Sequence, residues 1–415
     1  MSTVTRRAFV GAAASGAALG ACDVLAKGKS QPALHSLTAS ARPIDAAEHA
    51  QRLEKLQSLM QAQHTAALLV EAGSSLEYFT GVDWWRSERT TAALIPARGR
   101  TVIVTPYFEE PSIRETLKVE ADVRAWKEDE SPFERLAAIL QDTPEGALAI
   151  EPTTRFFIID RIRQAATRSR EVRSGDELVR ACRLIKSPAE LALLQAANNV
   201  TMAAIRHVHG QLHAGLTNNE ILKLVIAATE QLGGKHETTL VLLNEASAFP
   251  HGSATPQTLR EGSVVLIDTG CSVHGYASDI SRSWVFGSAS ARQRELWNTV
   301  KRGQEIALET ARPGVPCGAV DRAVRSYYEG LGWSRDYALP GLSHRTGHGI
   351  GLDGHEAPYL VRSDTTPLQP GMCFSDEPGL YVPGEFGIRL EDCWYMGESA
   401  PQLFTPLARS LEQPV

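Results

Sequence analysis

The sequence predicts an α+β protein in which a smaller α/β domain precedes a larger domain built on an antiparallel sheet. Short apolar runs alternate with helical segments over residues 45–175, which is typical of a small α/β domain. Long amphipathic helices and glycine-punctuated strands follow over residues 196–410, which indicates an antiparallel α+β domain. Of the 415 residues, 43% are hydrophobic and 22% are charged, so the chain has ordinary globular composition.

Charge and cysteine usage exclude two classes of protein. The 42 Lys and Arg residues and 48 Asp and Glu residues give a net charge of −6, without a basic run, so we expect no nucleic-acid partner. The six cysteines contain no C-x-x-C pair, so the sequence predicts neither a disulfide framework nor a cysteine zinc site.

The first segment has the pattern of an export signal. Residues 1–22 combine Arg6 and Arg7 with a short apolar stretch that cannot span a bilayer. The arginine pair resembles a twin-arginine signal. The segment ends in a lipobox-like sequence at Cys22, which predicts a lipid anchor as the only membrane contact. Residues 23–44 read as a flexible tether, and we expect a bacterial periplasmic protein, free or lipid-anchored.

Periodicity and turn residues predict the individual elements. In the first domain, strands are predicted at 66–71, 91–96, 101–105 and 147–151, and helices at 45–63, 132–141 and 154–167. A linker helix is expected over 176–195, with a break at Ser187-Pro188. Thr217 opens a helix with a capping box, and another helix is expected from about 290 to 311.

Five acidic or imidazole residues carry the chemistry of the larger domain. Asp268 ends an apolar strand, and period-two spacing puts Asp279 on one strand face with the serines that follow it. His348 lies in a glycine-rich stretch, Glu377 precedes a Pro-Gly break, and Glu391 follows a short apolar run. Taken singly, each residue is equally compatible with a turn cap or a solvated loop.

Taken together, these residues predict a dinuclear metal centre. Four carboxylates inside one sheet would repel one another, and burying them without partners is costly. Two divalent cations would remove that cost. Because the set is oxygen-rich with one imidazole, it favours manganese, with zinc or cobalt as substitutes. Two metals bridged by carboxylates form a recognised hydrolytic centre.

Seven motifs in order resemble the pita-bread metallopeptidases: prolidase, Xaa-Pro aminopeptidase, methionine aminopeptidase and the metal-free creatinase. The matching stretches are RLIKSPAEL (183–191), PHG (250–252), VLIDTG (265–270), YASDISR (276–282), HRTGHGIGLDGHEAP (344–358), GMCFSDEPGLY (371–381) and GIRLEDC (387–393). The resemblance implies a C-terminal pita-bread domain after a smaller creatinase-type α/β domain. One departure is Gly354, where the dipeptidases have a branched apolar residue.

The resemblance also implies a role for each residue. Asp268 would bind mainly one metal, Asp279 and Glu391 would bridge both, and His348 and Glu377 would complete the other. A hydroxide bridging the metals would be the nucleophile, with Glu377 as general base. The remaining expected roles are carbonyl and oxyanion contacts for His251 and His355, the proline pocket for His344, a carboxylate clamp for Arg362, and support of Asp279 or Glu391 by Arg389.

We therefore expect an exported Xaa-Pro dipeptidase or Xaa-Pro aminopeptidase that acts on dipeptides or short peptides. A homodimer is expected, because first-domain loops of this family reach a neighbouring active site. Trp84-Trp85-Arg86 is the candidate loop. Two alternatives remain open: a metal-dependent hydrolase of a non-peptide C–N or amide bond, and a non-catalytic binding lipoprotein of the same fold.

Overall fold

The computed structural model describes residues 33–167 and 170–415. The predicted signal at 1–22 and residues 23–32 of the predicted tether lie outside the described residues. Within these described ranges, no helix has the length and apolarity needed to cross a membrane.

The N-terminal domain is a mixed six-stranded sheet covered by helices on both faces. Its elements are α1 (Ala46–Ala62), β1 (Thr65–Glu71), α2 (Ser74–Thr80), β2 (Ala92–Pro96), β3 (Thr101–Pro106), α3 (Glu110–Thr116), β4 (Ala121–Trp126), α4 (Pro132–Gln141), β5 (Ala147–Ile150), α5 (Phe156–Ala165) and β6 (Val172–Ser174). The strand order is β4-β3-β2-β1-β5-β6. In β1, Leu68 packs into one core and Leu69 into the other, which explains the continuous apolar run at residues 66–70.

Two helices connect this sheet to the larger domain. Helix α6 (Asp176–Arg183) is followed by α7 (Pro188–His209), and Ser187 and Glu190 form a capping box between them. The expected break at Ser187-Pro188 is therefore present in the structure. Helix α7 continues beyond residue 195 because its buried face packs into the core of the larger domain.

The larger domain contains two antiparallel sheets and a hairpin. Its remaining elements are α8 (Asn218–Gln231), β7 (Lys235–Leu243), β8 (Ser263–Val273), β9 (Tyr276–Ala277), β10 (Ile280–Phe286), α9 (Ala291–Thr310), α10 (Cys317–Gly330), β11 (Gly347–Gly349), β12 (Glu356–Leu360), β13 (Cys373–Asp376), β14 (Gly379–Val382), β15 (Phe386–Arg389), β16 (Asp392–Met396) and β17 (Pro401–Leu403). One sheet has the order β10-β8-β7, with β9 on β8, and the other has the order β12-β11-β13-β16-β17. The predicted fold class is confirmed.

Helices cover one side of each sheet and leave the opposite sides in mutual contact. The core beside α7 and α8 includes residues of β7 and β8, and the core beside α9 and α10 includes residues of β13 and β16. A buried Arg282–Asp392 ion pair joins β10 to β16 between them. The sequence argument for Asp268 was wrong in one respect: it lies in mid-strand, because β8 pairs with β9 and continues to Val273.

Candidate active site

Five side chains from both sheets converge between them. Asp268 lies on β8, Asp279 immediately precedes β10, and His348 lies on β11. Glu377 follows β13, and Glu391 immediately precedes β16. Beside the set Asp279–His348–His355, two sets of possible ligands, Asp268–Asp279–Glu391 and His348–Glu377–Glu391, each have donor atoms within 4.8 Å of one another. The latter two sets share Glu391, so the arrangement offers two adjacent cation positions.

The orientation of His348 requires a cation. Its Nδ1 lies 3.0 Å from the carbonyl oxygen of Gly349, which can only accept, so Nδ1 carries the proton. Its Nε2 lone pair therefore faces carboxylate oxygens of Glu377, Asp279 and Glu391 at 3.5, 3.7 and 3.9 Å. Burial lowers the pKa of His348, and the charge of His355 adds to this effect. A neutral imidazole that presents a lone pair to three carboxylates has the donor arrangement of a metal site.

The carboxylates are strained electrostatically when no metal is bound. Burial raises the pKa of Asp279, and the neighbouring charges of Asp268 and Glu377 add to this effect. Burial likewise raises the pKa of Glu391, together with the charge of Asp279. Burial raises the pKa of Glu377 to about 7, although Arg389 opposes the shift. The buried Oδ1 of Asp268 and Oε1 of Glu391 have no hydrogen-bond partner, so both are available to a metal ion.

Arg389 supports the cluster, but through different partners from those expected. Its Nη2 binds Asp268 Oδ2, and its Nε donates to Ser281 Oγ at 3.0 Å. Ser281 Oγ in turn donates to Glu391 Oε2 at 2.7 Å. Sequence reasoning assigned Arg389 to Asp279 or Glu391. The structure connects it to Glu391 only through Ser281, because Asp268 lies directly against the guanidinium.

A neutral histidine forms a fixed wall beside the cluster. His344 Nδ1 donates to the carbonyl oxygen of Arg345 at 2.8 Å, so its Nε2 accepts from Tyr381 Oη at 2.7 Å. Burial lowers the pKa of His344 to about 3, and the charge of Arg389 contributes. Tyr381 also accepts from Arg389 at 3.1 Å. Both nitrogens of His344 are therefore engaged, which suits it to shape a pocket rather than to transfer a proton.

The other two predicted histidines stand at the open side of the cluster. The ring of His355 packs edge-on against His348, with centroids 4.0 Å apart. Partial burial lowers the pKa of His355, and the charge of Arg345 is the next largest cause. His251 is exposed, and its charge influences both His344 and His355, so it lies close to them.

Arg362 is not brought to the cluster. Its guanidinium pairs with Asp336 on the surface, and 46% of the side chain is exposed. Three residues that contact or face the cluster were not assigned a role from the sequence: Ser281, Tyr381 and Arg345. Ser281 was detectable from its period-two relation to Asp279, whereas Tyr381 and Arg345 approach only through the tertiary fold.

The linker motif holds the loop that carries His355. Arg183 Nη2 lies 2.7 Å from Glu356 Oε2 and 2.8 Å from Asp353 Oδ2, and Lys186 pairs with the other oxygen of Glu356. Because Arg183 and Lys186 are almost fully buried, Glu356 is the counter-charge that makes their burial possible.

A cavity of about 640 Å³ between the two domains reaches the cluster at Asp279. Gly354 lines this cavity, and a Cβ atom on it would meet no heavy atom within 4 Å. The departure at Gly354 therefore leaves open space at the edge of the site.

Comparison with known proteins explains the convergence of these residues. Residues 192–398 match the model of metallopeptidase family M24, and residues 52–185 match the creatinase/prolidase N-terminal domain. The chain belongs to metallopeptidase family M24. The predicted resemblance is thereby confirmed, the protein is a metallopeptidase, and enzymes of this family use divalent metals.

Relatives and solved structures agree with this assignment. The chain is 31% identical to a probable dipeptidase PepE of Mycobacterium tuberculosis, covering 85% of this chain and 92% of the relative. It is 29% identical to an Xaa-Pro dipeptidase of Lactobacillus helveticus, covering 87% and 98%. The dipeptidase PepE structure from Mycobacterium ulcerans has a TM-score of 0.79 at 30% identity, covering 88% of this chain and 97% of that one.

Proposed function

We propose that this M24 metallopeptidase hydrolyses the Xaa-Pro bond of dipeptides or short peptides, using two divalent ions, preferably manganese. The observation that carries the proposal is the pair of ligand sets that share Glu391. The names of relatives described as Xaa-Pro dipeptidase support the substrate class.

Asp268, Asp279 and Glu391 would hold one ion, and His348, Glu377 and Glu391 the other. The bound ions would polarise the scissile carbonyl and make the attacking water acidic. Glu377 is placed to accept the proton of that water, because its carboxylate borders the cluster and its other oxygen lies 3.8 Å from His344. His355 is neutral at pH 7, so its N–H can donate to the oxyanion that forms on the substrate.

Selection of proline would depend on the shape of the substrate pocket. The Xaa-Pro bond is a tertiary amide without an N–H, so no acceptor in the site can recognise it by hydrogen bonding. His344, fixed by Tyr381 and by the backbone of Arg345, offers a rigid apolar ring face for the pyrrolidine.

Export and assembly complete the proposal. Residues 1–22 would direct export to the periplasm, with Cys22 as the lipid-anchored residue. Fractionation of cells expressing the full chain and its Cys22→Ser variant tests both points. A homodimer is proposed because the Trp84–Trp85 stack leaves Trp85 67% exposed, and light scattering of the mature fragment tests it.

The decisive experiment uses the mature fragment in three states: metal-stripped, manganese-reloaded, and reloaded Asp279→Ala. Substrates are Ala-Pro, Ala-Pro-Ala, Ala-Ala and creatine. We expect reloading to restore cleavage of the Xaa-Pro bond only when Asp279 is present. The ratio of dipeptide to tripeptide turnover then distinguishes dipeptidase from aminopeptidase.

Two outcomes would contradict the proposal. Protein that holds two ions but cleaves only creatine or Ala-Ala would place the activity in another hydrolase class. Protein that holds two ions and cleaves none of the four substrates would favour a binding role.

A further inference from the structure

Arg345 is a cation without an anionic partner beside the metal-ligand cluster. It directly follows His344 and is half-buried, and its guanidinium carbon lies 4.4 Å from the centre of the Tyr359 ring. Among the residues that the structure describes, no ion pair or hydrogen bond is recorded for the Arg345 side chain. A half-buried guanidinium with all its donors free is poised for an anion that is not part of the chain.

The other cations near the centre are already occupied. Arg389 is bound by Asp268, Ser281 and Tyr381. Arg183 and Lys186 share Glu356. Among the cations that the described part of the chain brings near the cluster, Arg345 therefore keeps its donors available to a ligand.

The strand register places Arg345 on the substrate side of the sheet. Tyr359 on β12 lies directly opposite the ligand His348 on β11, and residues directly opposite in an antiparallel pair project from the same face. The guanidinium stacked on Tyr359 therefore lies on the face that carries His348.

The electrostatic environment agrees with this position. The positive charge of Arg345 adds to burial in lowering the pKa values of His355 and His348, and it opposes the rise that burial produces in the pKa of Glu377. For Asp279 and Glu391, Arg389 is the cation that opposes the raised pKa. Arg345 thus influences the part of the site that carries His348, His355 and Glu377.

The two charged ends of a dipeptide are complementary to two parts of the site. Its ammonium group is attracted to the carboxylate-rich end of the site, and its carboxylate is attracted to a guanidinium, which can donate two parallel hydrogen bonds. The face of Tyr359 holds the guanidinium plane and leaves the N–H edges free for this contact.

We propose that Arg345 binds the C-terminal carboxylate of the substrate and thereby makes the enzyme prefer Xaa-Pro dipeptides to Xaa-Pro amides and longer peptides. The inference rests on the proposed function, because it takes the substrate to be an Xaa-Pro peptide.

The test compares Ala-Pro with Ala-Pro-amide, which has the same scissile bond and no carboxylate. Both are assayed on manganese-loaded wild type, Arg345→Met and Arg345→Lys, with metal content and melting temperature measured for each protein. We expect Arg345→Met to lower kcat/KM for Ala-Pro about 10- to 100-fold, the loss produced by one charge-assisted pair, mainly through KM. The amide should change less than about threefold, and Arg345→Lys should recover part of the lost activity because it restores a charge.

Two further variants complete the design. Arg302→Met, an exposed arginine on α9 paired with Glu309, is the matched control and should leave both substrates unchanged. Arg362→Met tests the competing surface arginine. A selective loss of Ala-Pro cleavage in Arg362→Met, with Arg345→Met unaffected, would overturn the proposal.

The remaining outcomes are equally informative. Equal losses for both substrates in Arg345→Met would mean that Arg345 shapes the site without binding a carboxylate. Unchanged kinetics for both would overturn any role in substrate binding. If the wild-type enzyme, shown to hold its metals, cleaves neither substrate, the Xaa-Pro function itself fails, and the inference with it.

Discussion

In the metal-free protein, Glu377 should contribute a loss of stability as pH rises, and its raised pKa provides the magnitude. Its pKa is 4.5 in the unfolded chain and about 7 in the folded one, raised mainly by burial. The stripped folded protein therefore retains a proton that the unfolded chain releases. The stabilisation that this proton gives the folded state is complete below pH 4.5, declines as pH rises and is absent above about pH 7. The shift corresponds to about 3 kcal/mol of unfolding free energy, most of it lost between pH 5 and pH 8.

The assay is urea unfolding at pH 5 and pH 8 for stripped wild type, stripped Glu377→Gln and manganese-loaded wild type. Because the lowered pKa values of His344 and His348 change stability in the opposite sense over this range, the Glu377 contribution is isolated by comparing stripped wild type with stripped Glu377→Gln. From pH 5 to pH 8, stripped Glu377→Gln should lose about 2.5 kcal/mol less stability than stripped wild type, because its side chain carries no charge at either pH. Loaded protein should gain stability at pH 8, since metal binding replaces the protons. An identical change in stability from pH 5 to pH 8 in stripped wild type and stripped Glu377→Gln would refute the reasoning.

Four further predictions follow from buried contacts. Arg389→Met should destabilise the stripped protein by about 3–5 kcal/mol in urea unfolding, because it leaves a buried carboxylate without its counter-charge. Glu356→Gln should cost about 3 kcal/mol in the same assay, since it leaves two buried cations with weaker partners. Gly347→Ala should lower the melting temperature strongly, because its Cβ would lie 2.2 Å from a backbone oxygen, whereas Gly354→Ala should melt like wild type. Asp376→Asn should raise stability at pH 8, because burial raises the pKa of Asp376 and so disfavours the folded state once the carboxyl ionises. The gain should be about 1.4 kcal/mol for each pH unit by which that pKa is raised, and an unchanged urea midpoint would contradict this.

The local sequence pattern was sufficient to predict a helix or strand where that element is periodic and buries a definite face. The apolar run of the buried strand β1 and the capped starts of α7, α8 and α9 follow from propensity and capping residues that the sequence displays directly. Strand β4 was not predicted, because it lies at the sheet edge and alternates half-buried with exposed residues. The seven-residue helices α2 and α3 are too short to show a helical period.

The site was predictable as a set of residues but less so as a set of contacts. The convergence of the five possible ligands was expected from their chemistry and from motif resemblance. The partner of Arg389 was not, because strand periodicity gives the face of a residue and not the residue opposite it on another sheet. Arg362 shows the same limit: the sequence left it as either a carboxylate clamp or a solvated surface arginine, and its side chain pairs with Asp336 on the surface.

The charge balance of the centre explains why stability and chemistry are coupled. Asp268, Asp279, Glu377 and Glu391 bring four negative charges when ionised, and Arg389 is a cation that contacts Asp268 directly and acts on Asp279 and Glu391 through its charge. Without metals the imbalance is relieved by protonation, which raises the pKa values of the buried carboxyls. Two divalent ions would change the balance from three excess negative charges to one excess positive charge. That residual charge would stabilise the oxyanion that develops on the substrate, so the carboxylates that destabilise the metal-free fold would create the field that the reaction needs.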